Sequence, residues 1–358
     1  MRRKQITLFL LATLLLTLGV WMLLGRTKVS SAERRNLTQW PKLTWKSLSS
    51  GSFTRQAEEA ATDQFPLRDN FRTLKALSAY NLFGRLDNNG YYFSGNSIGK
   101  LDDPFSEDAV NAVCEKIRKI QKAYLEHTDC RVFYSIIPDK NQYLAGSFPV
   151  LDYGKMESML ASKLPDLTYI PLLDCLNTNS YYVTDPHWRQ ESLGNVVTRL
   201  GEYLDFTPAD AFEKQQFSFY GAYYGQAALP LPAETLTILE SDATRAACVY
   251  NLETNQTGSI YDMEKLTSQD PYSVYLSGPA ALEIITNPKA ETERRLVFFR
   301  DSFGSSLAPL LLDHYSEIIL VDLRYIPDSV LKDYIDFQNQ DVLFAYSTLI
   351  LNTNQIFR

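Results

Sequence analysis

A serine hydroxyl attacks an acyl carbon efficiently only when an imidazole takes its proton, and the imidazole works best when a carboxylate fixes its tautomer. The 358-residue chain has all three groups in suitable settings. Asp185 and His187 lie in Thr184-Asp185-Pro186-His187-Trp188, and Ser302 lies in Phe298-Phe299-Arg300-Asp301-Ser302-Phe303-Gly304. Alternate residues of an extended segment share a face, so Asp185 can reach one ring nitrogen of His187 while the other nitrogen faces Ser302. Ser302 follows an apolar run that reads as a strand and opens a predicted helix, at the sheet edge where open α/β folds bind ligands. The helix start also directs backbone N–H groups to that spot, which suits a developing oxyanion. The structural alternative for such a serine is simple helix capping. The remaining histidines, His127 and His314, end predicted helices and read as structural.

Other chemistries find little support. Asp185 and His187 have no second histidine or cysteine pair at ligand spacing, so no metal site is expected. No glycine-rich phosphate loop is present, which argues against nucleotide use. Cys114, Cys130, Cys175 and Cys248 form no CxxC pair. Outside a membrane they leave three disulfide pairings open, with a buried free thiol as the alternative for Cys114.

The elements that would position these residues alternate between helix and strand. An amphipathic helix begins at Ser106, with Val110, Val113, Ile117, Ile120 and Tyr124 on one face, and a β-rich run follows from Arg131 to Ile137. Further strands are expected near Leu167 to Pro171, at Tyr181-Tyr182-Val183, and over Leu296–Arg300, Glu317–Asp322 and Asp341–Tyr346. Leu193, Val196, Val197 and Leu200 give the intervening helix a buried face. Apolar strands separated by helices predict an α/β domain with a mainly parallel sheet. Residues from about 206 to 290 change character, with aromatic clusters and an alternating stretch at Tyr272 to Leu276, and read as a β-rich insertion. Its aromatic rings suit either sugar stacking or ordinary packing.

Before these elements, Arg2, Arg3 and Lys4 precede an uncharged apolar run from Ile6 to Leu24 that Arg26 and Lys28 close. A run of that length can span a bilayer and exceeds the ~7 to 15 residues of a cleaved signal's apolar core. Ser30-Ser31-Ala32 is the cleavage site that the competing signal-peptide reading would use. The expected organisation is a transmembrane signal anchor at 1–25, a stalk at 26–50, and a catalytic domain at 51–358 containing the insertion. The anchor orientation leaves the basic N-terminus inside and the C-terminal domain outside the cell membrane. Within 51–82 a helical pattern is broken at Asp63-Gln64-Phe65-Pro66-Leu67-Arg68-Asp69, as at a helix-to-helix corner. Asp87-Asn88-Asn89-Gly90 reads as a turn before a short strand at Tyr91.

The chain carries 35 basic and 42 acidic residues. Residues 1–32 hold five of the basic groups and no acidic one, leaving 30 against 42, a net of −12. That balance disfavours nucleic acid as a partner, and strongly anionic polymers too unless a local basic groove exists.

Five ordered blocks resemble the DHHW proteins: Asp63 to Asp69, Ile137-Pro138-Asp139-Lys140, Thr184 to Trp188, Asp301-Ser302-Phe303 and Asp322-Leu323-Arg324-Tyr325. That family is similar to the SGNH-hydrolase-like exported proteins of alginate O-acetylation, and the resemblance runs from about residue 33 to the end. It implies a flavodoxin-like three-layer domain in which Asp and His precede the nucleophilic Ser, a permuted motif order. It also implies that Asp185 orients, His187 acts as base and Ser302 becomes acylated. Two positions depart from the pattern: Pro186 replaces the family's first histidine, and Arg300 stands where many SGNH enzymes have glycine.

The implied activity is O-acetyl transfer to a cell-surface or extracellular polysaccharide. The acyl group would derive from cytoplasmic acetyl-CoA through a multi-spanning membrane O-acyltransferase partner, with no cofactor bound by this chain. Lys140, Tyr223, Tyr224 and Arg324 are expected in the substrate cleft on motif position. An acetylesterase using the same residues, or a non-catalytic polysaccharide-binding or assembly subunit, are the competing expectations.

Overall fold

A computed structural model describes every residue except Met1, Arg26, Asp103, Ala145, Ser147, Asp210, Gln355, Ile356 and Arg358. The chain divides into two compact units, one of residues 1–92 with 222–232, the other of 93–221 with 233–358.

The first unit begins with an apolar helix, Arg2–Leu24, long and apolar enough to cross a membrane by length and composition. Of the two basic residues expected to close that run, Lys28 is exposed, while Arg26 lies outside the described residues. Helices Ser52–Asp63 and Arg68–Leu77 meet at the expected corner around Pro66. Polar side chains on this corner hold the preceding chain. Asp63 accepts from Arg35 Nη1 (2.9 Å) and from the Thr38 N–H (2.8 Å), Gln64 donates to the carbonyls of Thr27 (2.9 Å) and Thr38 (3.0 Å), and Arg68 pairs with Glu33 (2.5 Å). The stretch expected as a stalk is therefore tied to the corner by specific bonds. The predicted turn forms a two-residue hairpin loop, Asn89 and Gly90 both having positive φ, between residues that pair as Asn88 with Tyr91.

The second unit is built on an eight-stranded sheet. Its strands, with those of a separate hairpin, are β1 (Arg131–Ile137), β2 (Thr168–Tyr169), β3 (Glu213–Phe219), β4 (Glu234–Glu240), β5 (Cys248–Asn251), β6 (Gln256–Ser259), β7 (Leu282–Thr286), β8 (Arg295–Arg300), β9 (Glu317–Val321) and β10 (Asp341–Ser347). The sheet order is β6-β5-β7-β9-β8-β10-β1-β2, while β3 and β4 pair only with each other. From β9 to β2 every neighbour is parallel, and the β7, β5 and β6 ladder is antiparallel.

Strand alternation explains the two cores. Leu296 and Phe298 of β8 enter one apolar cluster and Val297 and Phe299 the other, so both faces of the sheet are covered. The helix Glu107–Ile120 buries Val110, Val113, Ile117 and Ile120 in one cluster. Its start is capped by Ser106, whose hydroxyl accepts from the Ala109 N–H at 3.1 Å. The helix Gly194–Leu204 buries Val196, Val197, Leu200 and Leu204 in the other. A mixed α/β unit with a large, mainly parallel sheet is thus the observed architecture.

Three local expectations need correction. Tyr272 to Leu276 is no strand: Pro271–Val274 forms a 3₁₀ turn with proline at its first position, and Leu276 and Ser277 have φ near +57° and +58°. Tyr181-Tyr182-Val183 makes a single bridge, Tyr181 to Trp188, rather than a strand. Of the β-rich stretch, only β3 and β4 stand apart, whereas β5, β6 and β7 extend the central sheet through antiparallel pairing.

Candidate active site

The parallel strands β8, β10, β1 and β9 all end at one sheet edge, where Asp301, Ser347, Pro138 and Asp322 follow or close them. The turn after β8 carries Ser302, followed by the helix Phe303–Leu307. Asp301 shapes that turn. Its buried carboxylate accepts the Phe303 N–H (2.9 Å) and, from the end of β10, the Ser347 N–H (2.8 Å). Asp301 is therefore a structural clamp, and its carboxylate does not serve His187.

His187 reaches Ser302 from the loop 183–188. Its Nε2 lies 2.7 Å from the Ser302 hydroxyl, and its Nδ1 lies 2.6 Å from Asp185 Oδ1. The same Asp185 oxygen accepts the His187 N–H at 3.2 Å. Asp185 is fully buried and His187 partly buried. A carboxylate at Nδ1 holds the proton there, which leaves Nε2 as the acceptor for the serine O–H. Asp185, His187 and Ser302 are thus brought into one hydrogen-bonded line.

Besides Trp188, several side chains that the sequence did not mark hold this line in place. The Tyr272 ring stacks on the imidazole, with centroids 3.9 Å apart and planes at 10°, and its hydroxyl donates to Ser306 Oγ at 2.8 Å. Trp188 is buried and its indole N–H donates to the Phe303 carbonyl (3.1 Å) and Ser306 Oγ (2.9 Å), which joins the histidine loop to the serine helix. Glu234, at the start of β4, accepts the N–H groups of Val183 (2.7 Å) and Thr184 (2.8 Å), the Thr184 hydroxyl, and Arg189 Nη2 (3.1 Å). Gly221 also touches the loop. A Cβ there would stand 2.2 Å from the Thr184 carbonyl oxygen, so only glycine permits the approach.

Lys140, expected in the cleft, is instead buried beneath the loop. Its ammonium donates to the carbonyls of Tyr182 (3.1 Å), Val183 (3.0 Å) and Asp185 (3.0 Å). Burial pushes its pKa down to about 8, against the opposing pull of Asp139, Asp185 and Glu234. Arg324 is paired through Nε (2.9 Å) and Nη2 (2.6 Å) with the buried Asp322 and lies over the Tyr325 ring. Tyr223 and Tyr224 belong to the first unit, on the helix Ala222–Ala227, where the buried Tyr223 packs edge-on against Tyr91 at 5.1 Å.

The expected oxyanion donors are also partly reassigned. The Phe303 N–H is taken by Asp301 Oδ1 and the Gly304 N–H by the Asp301 carbonyl at 3.1 Å. Among the described residues the Ser302 N–H meets no acceptor, which leaves it as the donor beside the hydroxyl. Arg300 occupies the position where a glycine was expected, and its guanidinium pairs with buried Glu283 at 2.7 Å. Its stem passes under Gly304, where a Cβ would lie 2.6 Å from Arg300 Cβ. Burial of this pair holds the Glu283 carboxyl up, to about 7, with Arg300 opposing.

His127 follows the long helix, and His314 stacks on Phe206 at 4.2 Å, so neither joins the line. All four cysteines are free thiols, Cys114 and Cys175 buried. No group of three or more metal-ligating side chains occurs among the described residues.

No known protein family and no curated protein matches the sequence. Solved structures do. A DHHW family protein from Eubacterium siraeum DSM 15702 superposes with a TM-score of 0.61 at 18% identity, over 75% of this chain and 94% of that one. The chain has the fold of a DHHW family protein. Bacillus cereus PatB1 matches this DHHW-type fold with a TM-score of 0.59 at 16% identity, over 75% of this chain and 99% of PatB1. PatB1 carrying a sulfonyl adduct matches with 0.58 at 16% identity, over 75% and 98%.

Proposed function

We propose that the chain is an exported, membrane-anchored O-acyltransferase that acetylates a cell-surface or extracellular polysaccharide through an acyl-enzyme on Ser302. The observation that carries this reading is the Asp185–His187–Ser302 line, with 2.6 Å and 2.7 Å between its members. Ser302 Oγ attacks the acyl carbon as its proton passes to His187 Nε2, and the imidazolium is stabilised by Asp185. The Ser302 N–H, which meets no acceptor among the described residues, would donate to the carbonyl oxygen as it becomes negative. His187 then gives the proton to the departing group. A sugar hydroxyl enters, loses its proton to Nε2 and takes the acyl group, and Nε2 passes that proton to the departing Ser302 Oγ, which restores the serine.

The domain reading that accompanies this is an SGNH-hydrolase-like unit with permuted motif order, Asp and His before Ser, preceded by an anchor at 1–25. The run of β3 to β7 is then an elaboration between the two halves of the triad. PatB1 has been solved with a sulfonyl adduct, and sulfonyl reagents mark activated nucleophiles, which supports a reactive residue in this fold. The donor would be an acyl group derived from acetyl-CoA and handed across the membrane by a multi-spanning acyltransferase.

Hydrolysis uses the same residues and differs only in which hydroxyl resolves the acyl-enzyme. The test incubates purified full-length chain with an activated acetyl ester, with and without glycan acceptor. The expected result is acetylated glycan, with both the transfer and the ester consumption lost in Ser302→Ala. Acetate release indifferent to acceptor, with no acetylated glycan, would replace transferase by esterase. In cells, acetylation of the native glycan left unchanged by Ser302→Ala and by His187→Ala would leave a non-catalytic polysaccharide-binding or assembly role.

A further inference from the structure

The exposed apolar side chains are unevenly distributed. Outside the N-terminal helix, eighteen large apolar residues are exposed among the described residues, and twelve of them lie between Val29 and Leu86, within the first unit. Leu67, Phe71 and Leu74 are spaced i, i+4 and i+7 on and just before the helix Arg68–Leu77, and each is about half exposed or more. Such a stripe normally packs onto a core. Leu82, Phe83 and Leu86, in the segment that follows, are each at least 70% exposed, and Trp45 is 84% exposed. An accumulation of this size on one compact unit marks a contact surface rather than scattered exposure.

Two further observations say what covers it. The first is continuity with the apolar helix Arg2–Leu24. The Trp40 indole N–H donates to the Met22 carbonyl at 3.2 Å, and a Cβ on Gly25 would lie 3.3 Å from the Gln64 carbonyl oxygen. Trp21 lines the same cavity, of about 430 Å³, as Phe65 and Leu67. The corner that launches the apolar stripe thus sits at the end of the helix that would leave the bilayer.

The second is charge. Beyond the apolar helix, whose Arg2, Arg3 and Lys4 lie on the far side of a spanned bilayer, residues 25–92 carry 11 basic and 6 acidic groups and residues 222–232 none, a net of +5, whereas the second unit carries 21 basic and 36 acidic groups, a net of −15. Lys42, Lys46, Arg55, Lys75 and Arg85 of the first unit are exposed. Apolar residues interleaved with lysine and arginine, on a short amphipathic helix beside a membrane-spanning one, fit an interfacial element.

We infer that residues 67–86 form a second membrane contact, in which Leu67, Phe71, Leu74, Leu82, Phe83 and Leu86 enter the outer headgroup region of an anionic lipid bilayer. The first unit then lies on the membrane as well as being tethered to it. This rests on the N-terminal helix spanning the bilayer and is independent of the catalytic reading. The apolar side chains lie roughly 5 to 10 Å below the headgroups, with the basic side chains at phosphate level.

The test reconstitutes the full chain in vesicles of phosphatidylcholine and phosphatidylglycerol, and in phosphatidylcholine alone. Leu74→Cys, Leu86→Cys and, as a water-facing control, Glu59→Cys are made in a background where Cys130 and Cys248, the two thiols not buried, are serine. Each is spin-labelled, and its accessibility to oxygen and to a water-soluble nickel chelate is compared. The expected outcome is severalfold lower nickel and higher oxygen accessibility at 74 and 86 than at 59, stronger with the anionic lipid. Labels at 74 and 86 as nickel-accessible as the one at 59, in both mixtures, overturn the inference. So does protection that arises only when a second membrane protein is added, which would make the surface a protein interface.

Discussion

His187 can act as a base toward Ser302 only while its proton stays on Nδ1, and Asp185 Oδ1 at 2.6 Å is what keeps it there. Asp185→Asn preserves shape and burial but removes the charge, and its amide group can donate to Nδ1, which moves the ring proton to Nε2. The expected loss in turnover is about 10⁴-fold, with thermal stability close to that of the parent. Steady-state rates with an activated acetyl ester, read beside a melting curve, check this. A loss below about tenfold would show that the carboxylate does not set the tautomer. Lys140 illustrates a different residue-level lesson. A lysine in a loop after a strand reads as a cleft cation, but its three donors meet the carbonyls of Tyr182, Val183 and Asp185, so it supports the loop that carries Asp185 and His187 from below.

At the scale of elements, the corner between Ser52–Asp63 and Arg68–Leu77 depends on Asp63. The hydrogen-bonded Arg35 guanidinium holds its carboxyl at about 2, below the ordinary value near 3.8, despite burial. A depressed folded-state pKa means that the unfolded chain takes up the proton first. The stabilisation is complete above about pH 4 and is lost as the pH falls through 2. Asp63→Asn should therefore destabilise the chain by about 2 kcal/mol at pH 6, and its gap from the parent should close as the pH approaches 2. Denaturant melts at a series of pH values measure this, and a gap independent of pH would mean that packing, not charge, holds the corner.

Other elements were readable to different degrees for physical reasons. The runs at 131–137, 295–300, 317–321 and 341–347 are mostly apolar, without polar alternation, because a parallel sheet covered on both faces demands it. Asp185, His187 and Ser302 were readable because their chemistry needs few residue types in particular places. Tyr272, Glu234 and Gly221 were not, since their roles arise only when residues 37 to 85 positions from the ones they touch fold against them. The antiparallel attachment of β7 to β9 was hidden likewise, because strand composition does not name a partner.

The molecule as a whole separates its charge. The unit that holds Asp185, His187 and Ser302 has a net charge of −15, while the unit with the apolar helix has +8. A field of that sign around the serine repels an approaching polyanion over about 30 Å at ~0.01 M salt and over only about 8 Å at ~0.15 M, the Debye lengths at those ionic strengths. For an anionic oligosaccharide acceptor, kcat/KM is therefore expected to rise severalfold as ionic strength goes from about 0.01 to 0.15 M, through KM, with kcat unchanged. A neutral acceptor of the same length should show a flat profile, because no long-range term acts on it. Arg324 and Arg189 are the nearby cations that would reverse this, but each is already paired with a carboxylate, Asp322 and Glu234. A kcat/KM for the anionic acceptor that falls with salt would show that a local basic groove outweighs the global field, and the acceptor would then be sought among acidic glycans rather than neutral ones.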